Sequence, residues 1–177
     1  MPPLFPANPT RYDPLKNFKF KVKWDGVYVL GAASVTGLTR KTEVISHRVG
    51  GDPSTKRKSP GLHDFDALTI KNGLTMDRTF YLWAGKVWAI GNQFGMEVSL
   101  ADFRKDVTLE VYNEAGQLAI AYTIYRCWPS EFQAQADLDA NTGGILFQHL
   151  KLENEGFDID TTVSEPAEPS FVIPAGT

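Results

Sequence analysis

The chain has 177 residues, with 18 Lys and Arg against 21 Asp and Glu, and a formal net charge of −3. That length suits one domain with a real core, and that charge argues against tight nucleic-acid binding by electrostatics alone. The single cysteine, Cys127, allows no internal disulfide; set among Tyr125, Arg126 and Trp128, it reads as a buried, inert thiol.

Residues 1–17 carry Pro2, Pro3, Pro6, Pro9 and Pro14, which remove backbone donors and fix φ, so they are expected to form an extended arm. Met1-Pro-Pro-Leu-Phe-Pro6 has neither a charged leader nor an apolar core, so no signal peptide is expected, and the longest apolar runs are too short to cross a bilayer, so no membrane anchor is expected. The first strand is predicted from Phe18, Phe20, Val22 and Trp24, which alternate with Lys19, Lys21 and Lys23. One face is core and the other is a row of lysines. Asp25-Gly26 predicts a tight hairpin, with Val27 to Leu30 returning.

Gly31 to Leu38 reads as a small-residue turn leading into Val35-Thr-Gly-Leu38. Thr42 to Arg48 is a further strand centred on Val44 and Ile45. Val49 to Gly61 reads as an exposed loop, longer than a hairpin requires, with Lys56, Arg57 and Lys58 in a row. Leu68 and Ile70 alternate with Thr69 and Lys71 as a half-buried strand, closed by Asn72-Gly73. A helix follows, with Thr75 as N-cap and Asp77 in its first turn; Phe80, Trp83, Ala84, Val87 and Trp88 form its apolar face. That face is expected to cover an open end of a β-structure.

Gly91 to Phe103 has no clear period and reads as an insertion. Val107, Leu109 and Val111 pair with Leu118, Ile120, Tyr122 and Ile124 around the turn at Asn113 to Gly116. Trp128-Pro129 is expected to end that hairpin. Ser130 to Gly144 is polar, the last strand runs Ile145 to Glu153, and Asn154-Glu-Gly156 stops it. Residues 158–177 hold four acids, no base and three prolines, the composition of a loose acidic tail. The domain plan is thus an arm at 1–17, one β-domain at 18–157 and a tail at 158–177.

No catalytic, cofactor or metal residues are assigned. His47, His63 and His149 share no ligand spacing. Gly50-Gly51 lacks the context of a phosphate loop, and no serine sits in a Gly-x-Ser-x-Gly elbow. Asp137 and Asp139 read as turn residues.

Taken in order, several of these segments together resemble the tail tube proteins of contractile phage tails and contractile injection systems. They are Asp13-Pro14, the strand to Trp24 with Asp25-Gly26, Val35-Thr-Gly-Leu38, Glu43-Val-Ile45, Arg48 with Gly50-Gly51, and Lys58-Ser-Pro-Gly-Leu62. Leu68 to Thr75, Phe80 to Trp83, Arg104-Lys-Asp-Val107, Gly116, Trp128-Pro129, Asp137-Leu-Asp-Ala140 and Glu155-Gly156 complete the series. The sequence departs from the family pattern at Thr36, Asn72 and Asn154, in the 91–103 segment, and at Gly144 to Leu150. The resemblance covers residues 13–157.

The resemblance implies a mainly β fold. It has two packed antiparallel sheets (sandwich or barrel-like) and one flanking helix, closed into hexameric rings that stack as a tube. It implies a conduit for DNA or effector, passing without specific binding, with sheath, baseplate and terminator proteins as partners. It places the protein in a virion tail or injection-system particle assembled in the bacterial cytoplasm. It makes Arg48, Gly50, Gly51, Asp52, Lys56, Arg57, Lys58, Pro60, Gly61 and Leu62 an inter-ring contact loop. It also turns Lys41, Thr42, Ser46 and Arg48 toward a watery lumen. Unpaired sheet edges favour such an assembly, because they invite pairing with further chains. Other readings are a tube initiator, baseplate or type VI-like ring protein, and a β-sandwich carbohydrate-binding module using exposed aromatics such as Tyr28 and Tyr112. A hydrolase on a β-scaffold lacks any residue constellation.

Overall fold

The computed structural model describes residues 14–29, 31–51, 54–87, 103–136, 138, 141 and 143–164. The arm through Asp13, Asp52, Trp88, the 91–102 segment, Asp137, Asp139, Ala140 and the tail beyond 164 lie outside the described residues. Among the described residues, ten strands and one helix of more than a turn are assigned in chain order. They are β1 (Phe20–Trp24), β2 (Val27–Tyr28), β3 (Ala32–Thr36), β4 (Arg40–His47), β5 (Arg57–Phe65) and β6 (Leu68–Gly73). Then come α1 (Thr79–Val87), β7 (Lys105–Tyr112), β8 (Leu118–Gln133), β9 (Phe147–Glu153) and β10 (Phe157–Ile159). Among the described residues, no helix is long and apolar enough to cross a membrane.

Eight strands form an open antiparallel sheet in the order β2-β1-β7-β8-β9-β6-β3, with β10 also on β8; β4 and β5 form a ribbon of their own. The large sheet is two layers joined by one strand. The 16-residue β8 pairs with β7 and β10 up to Cys127 and with β9 from Trp128 onward. It bends between them, where Arg126 takes a φ of 51° and its N–H donates to Asp106 Oδ1 at 2.8 Å. The strand therefore does not end at Trp128-Pro129, as the sequence suggests, but runs on to Gln133. Proline is tolerated there because Pro129 lies beside a register shift and pairs with β9 alone.

The core lies between the layers. Val22, Trp24, Val107 and Ile124 come from one, and Leu68, Ile70, Leu150 and Leu152 from the other. Helix α1 adds Phe80, Trp83 and Ala84. The Trp83 ring sits 4.9 Å from that of Trp24, and its Nε1–H donates to Phe103 O at 2.6 Å. The helix begins later than its sequence suggests. Asp77 precedes it and accepts from Thr79 N at 2.9 Å, whereas Thr75 Oγ1 accepts only from Asp77 N. Cys127 is buried at the bend; desolvation, with the Asp106 charge second, pushes its thiol up to about 12, the setting of an unreactive thiol.

The first hairpin is built as its sequence dictates. Asp25 and Gly26 have φ of 51° and 76°, the two positive values a type I′ turn requires. Val22 and Trp24 are buried, and Lys21 is exposed. Phe18 lies outside β1 and is exposed, and Phe20 is only half-buried. Phe20→Ala is therefore expected to cost less than the roughly 3–5 kcal/mol of a fully buried phenylalanine. Lys21→Ala is expected to cost only about 0.5–1 kcal/mol, the worth of an exposed cation–π contact. Urea midpoints check both; a larger loss at Lys21 would mean that β1 is in the opposite register.

Gly31 to Leu38 is not a small-residue turn as its sequence suggests: Ala32–Thr36 form β3, and Gly37-Leu38 are its exit. Gly37 has a φ of 84°, and a Cβ there would stand 2.5 Å from Ala67 O. Only glycine lets the chain leave β3 so close to the backbone entering β6.

Candidate assembly interface

Three sequence features put β4 and β5 together as a ribbon. Arg40 to His47 contains Thr42, Val44 and Ile45, which favour extended backbone. Gly50 and Gly51 allow a turn, Gly51 at a φ of 97°. Arg57 to Phe65 then returns, registered from His47↔Arg57 to Arg40↔Phe65. The sequence-predicted loop from Val49 to Gly61 is thus shorter than expected. Arg57, Lys58, Pro60, Gly61 and Leu62 are strand residues, and only the stretch from Arg48 to Lys56 connects. Pro60 and Gly61 disguised β5, yet both fit it. Pro60 pairs with Val44 in a strand that has a free edge among the described residues. Gly61 lies against Ile45 and Glu43, so a Cβ there would stand 3.0 Å from Ile45 Cγ1. The register slips beside it, and Leu62 is thrown outward.

All eight residues of β4 are exposed. Val44 is 59 %, Ile45 49 % and Leu62 80 % accessible. Among the described residues the ribbon is packed only at its root, where Phe65 meets Phe157, and β4 is left uncovered. The expected lumen residues divide between its faces, because strand side chains alternate. Thr42 and Ser46 share one face, and Lys41 lies on the other with Nζ 2.6 Å from Asp66 Oδ1. That hydrogen bond, with the carboxylate charge second, raises the Lys41 pKa. Arg48 follows the strand. Gly50, Gly51 and Lys56 are exposed at the tip.

At the ribbon's root several short sequence signals converge. Glu155 bridges Arg104, at 2.7 Å, and Arg126, at 2.9 Å. Asn154 Nδ2 donates to Asp66 O at 3.0 Å, and the Phe65 and Phe157 rings are 6.0 Å apart. Arg104-Lys-Asp-Val107, Glu155-Gly156 and the β8 bend are thus parts of one corner. Sequence reading missed β10 there: Phe157–Ile159 pairs with Ile124, Thr123 and Tyr122, carrying the fold across the boundary drawn at 157. The alternation Phe157, Asp158, Ile159 was its only signal.

The other candidate surface, around Tyr28 and Tyr112, is internally engaged. Both hydroxyls donate to Glu110 Oε2, at 3.2 and 2.5 Å, and Lys21 Nζ lies 5.2 and 4.9 Å from the two rings. Burial, with the Glu110 hydrogen bond second, holds the Tyr112 hydroxyl well above its ordinary pKa. The hydroxyls and the Lys21 ammonium are thus engaged within the protomer, while Tyr28 is 43 % accessible. Among the described residues, no group of three or more His, Cys, Asp or Glu is placed to hold a metal ion.

The sequence profile described as T4-like virus tail tube protein gp19 matches residues 16–158. The chain belongs to this tail tube family. The matched stretch runs from before β1 into β10 and includes α1 and the β4–β5 ribbon. Solved structures with the same fold include three from contractile injection systems. In the extended sheath-tube complex of the extracellular system PVC, the matching chain is 21 % identical with a TM-score of 0.68, covering 83 % of this chain and 91 % of that one. In the anti-feeding prophage tube terminating cap the values are 22 %, 0.71, 85 % and 93 %. In the PVC sheath/tube terminator they are 21 %, 0.70, 86 % and 99 %. A search of curated protein sequences returned no match. For this tail tube protein the family role is structural, and among the described residues the ribbon is the part of the fold that pairs with no other strand.

Proposed function

We propose that this tail tube protein is the protomer of hexameric rings stacked into the inner tube of a contractile phage tail or injection system. The single observation that carries the reading is the exposed β4–β5 ribbon. Eight residues of strand span about 26 Å, and a two-stranded ribbon with uncovered valine, isoleucine and leucine is barely stable alone. A second copy of the chain supplies what it lacks. In a ring, free strand edges pair with their neighbours and disappear. The lumen then receives the face carrying Thr42 and Ser46, with Arg40 on the same face of β4 and Lys58 in register with Ser46. Sheath, baseplate and terminator proteins are the partners of such a tube, as the complexes of its structural neighbours suggest. The role requires no catalysis.

Light scattering of the purified chain at assembly concentrations is expected to give a species of about six protomers or a multiple of it, and negative-stain images are expected to contain rings or tubes. A chain that stays monomeric at high concentration and gives no rings would overturn the proposal.

A further inference from the structure

Ser34 of β3, Lys71 of β6, His149 of β9 and Gln133 of β8 stand in one register line. Directly paired residues share a face, so the four side chains form a row across four strands, about 14 Å long. The row lies on the side away from the core, because the alternate residues Ile70 and Leu150 are fully buried. Beside it, Phe147 and Ala33 help to line an open groove of about 420 Å³. Among the described residues the side chains of Ser34, Lys71 and Gln133 make no hydrogen bond or ion pair. The acids on this face are engaged: Glu131 by His149 Nε2 at 3.1 Å, and Glu153 by the Ser130 hydroxyl at 3.2 Å. The groove therefore offers a cation, an amide and a hydroxyl as free donors next to an aromatic ring.

Such a groove suits an extended segment rich in acceptors and poor in N–H groups, with a carboxylate for Lys71 and an apolar side chain for Phe147. Residues 165–177, Glu165-Pro-Ala-Glu-Pro-Ser-Phe-Val-Ile-Pro-Ala-Gly-Thr177, have that chemistry. Pro166, Pro169 and Pro174 contribute carbonyls without N–H groups and favour extended backbone. Glu165 and Glu168 are the only charged side chains among them. A polyproline II helix has three residues per turn, so Glu165, Glu168 and Phe171 fall on one side of it. Glu168 and Phe171 are then about 9 Å apart, and Lys71 and Phe147, diagonal neighbours on the sheet, are about 8 Å apart. The proline-rich start of the chain is the poorer match, since residues 1–12 hold Arg11 and no acid. The family profile stops at residue 158, so the tail tube role leaves residues 165–177 unassigned.

The tail starts far from the groove of its own protomer. Asp160 N donates to Ala121 O at 2.8 Å, and Asp160 Oδ1 accepts from Thr162 N and Oγ1, at 2.9 and 2.7 Å, which turns the chain off the β8 edge. From Ala121 to Gln133 along β8 is about 40 Å, whereas Glu165 to Phe171 spans about 22 Å as polyproline II. Resting on the tube reading above for the presence of neighbouring copies, we infer that the acidic tail of one protomer lies in the Lys71 groove of another. Glu168 meets the Lys71 ammonium, Phe171 packs on Phe147, and the proline carbonyls between and beside them accept from Gln133 and Ser34. The tail is thus a strap from copy to copy, added to whatever contacts the folded domains make.

Cross-linking of full-length chains tests this. A chain with Ser170→Cys and a differently tagged chain with Ala33→Cys are mixed, assembled and oxidised; Cys127 is buried and does not compete. A disulfide-linked pair of the two tagged chains is expected. K71E on the Ala33→Cys chain and E168K on the Ser170→Cys chain are each expected to cut its yield at least several-fold, and together to restore it. Circular dichroism checks that the variants fold, and Lys71→Gln replaces K71E in the loss arm if the reversed charge does not. Rings without the mixed pair would overturn the docking and leave the tube reading standing, as would a yield indifferent to both charge variants. A disulfide formed only within chains carrying both cysteines would overturn it too, since the tail would then lie in its own groove. Leu4→Cys giving the pair in place of Ser170→Cys would overturn it in favour of the N-terminal segment. A wild-type chain that forms no rings removes the tube reading and this inference with it.

Discussion

Trp83→Ala is expected to lower the unfolding free energy by about 3–5 kcal/mol, the range for an aromatic removed from a packed core. Trp83 is only 2 % accessible and touches three parts of the fold. Its ring packs at 4.9 Å on Trp24 of β1, its Nε1–H holds Phe103 O just before β7, and the Lys105 ammonium lies 5.3 Å from its centroid. Losing it leaves a cavity between helix and sheet and a carbonyl without its donor. Against a typical domain stability of about 5–15 kcal/mol, that removes a third or more. Trp83→Phe separates the causes: it keeps most of the ring contact and forfeits the hydrogen bond, for about 1–3 kcal/mol. Guanidinium midpoints at unchanged slope report both. Equal losses for the two variants would mean that the hydrogen bond, not the packing, dominates.

The second large effect is on assembly. Replacing residues 43–62 by Asn-Gly closes the ribbon at the Thr42↔His63 pair with a turn suited to a two-residue hairpin. The core residues all lie outside the deleted stretch. The shortened chain is therefore expected to keep its thermal midpoint within a few degrees, the shift that about 1 kcal/mol produces in a chain this size. It is expected to form no tubes at any concentration, because the apolar and basic surface that reaches a neighbour is gone. Light scattering and micrographs read the assembly, and calorimetry reads the fold. Normal tubes from the shortened chain would remove the ribbon from the assembly interface; a collapsed midpoint would show that it belongs to the protomer core.

Parts of this molecule are determined by local sequence alone. The β1 alternation, the Asp25-Gly26 turn and the helical spacing of Phe80, Trp83 and Ala84 each depend on neighbours a few residues away. Strand period, turn dihedrals and helix pitch are local quantities, so these elements are legible without the fold. The order of short motifs from Asp25-Gly26 to Glu155-Gly156 likewise carries the family, and the profile match over residues 16–158 agrees with it.

Other features were settled only by contacts distant in sequence. Pro129 looks like a strand end until β9 is seen to take over the pairing of β8 at that point. Pro60 and Gly61 look like loop until β4 lies beside them as a partner that tolerates both. β10 is three residues long and becomes a strand because Tyr122 to Ile124 offer it an edge. The helix begins at Thr79 rather than nearer Thr75, with Asp77 holding Thr79 N. The division of Lys41 from Thr42 and Ser46 also waits on the structure, because facing is decided by which strand pairs with which. Local sequence determines what a segment prefers; pairing energy, which depends on residues distant in the chain, decides whether that preference is kept.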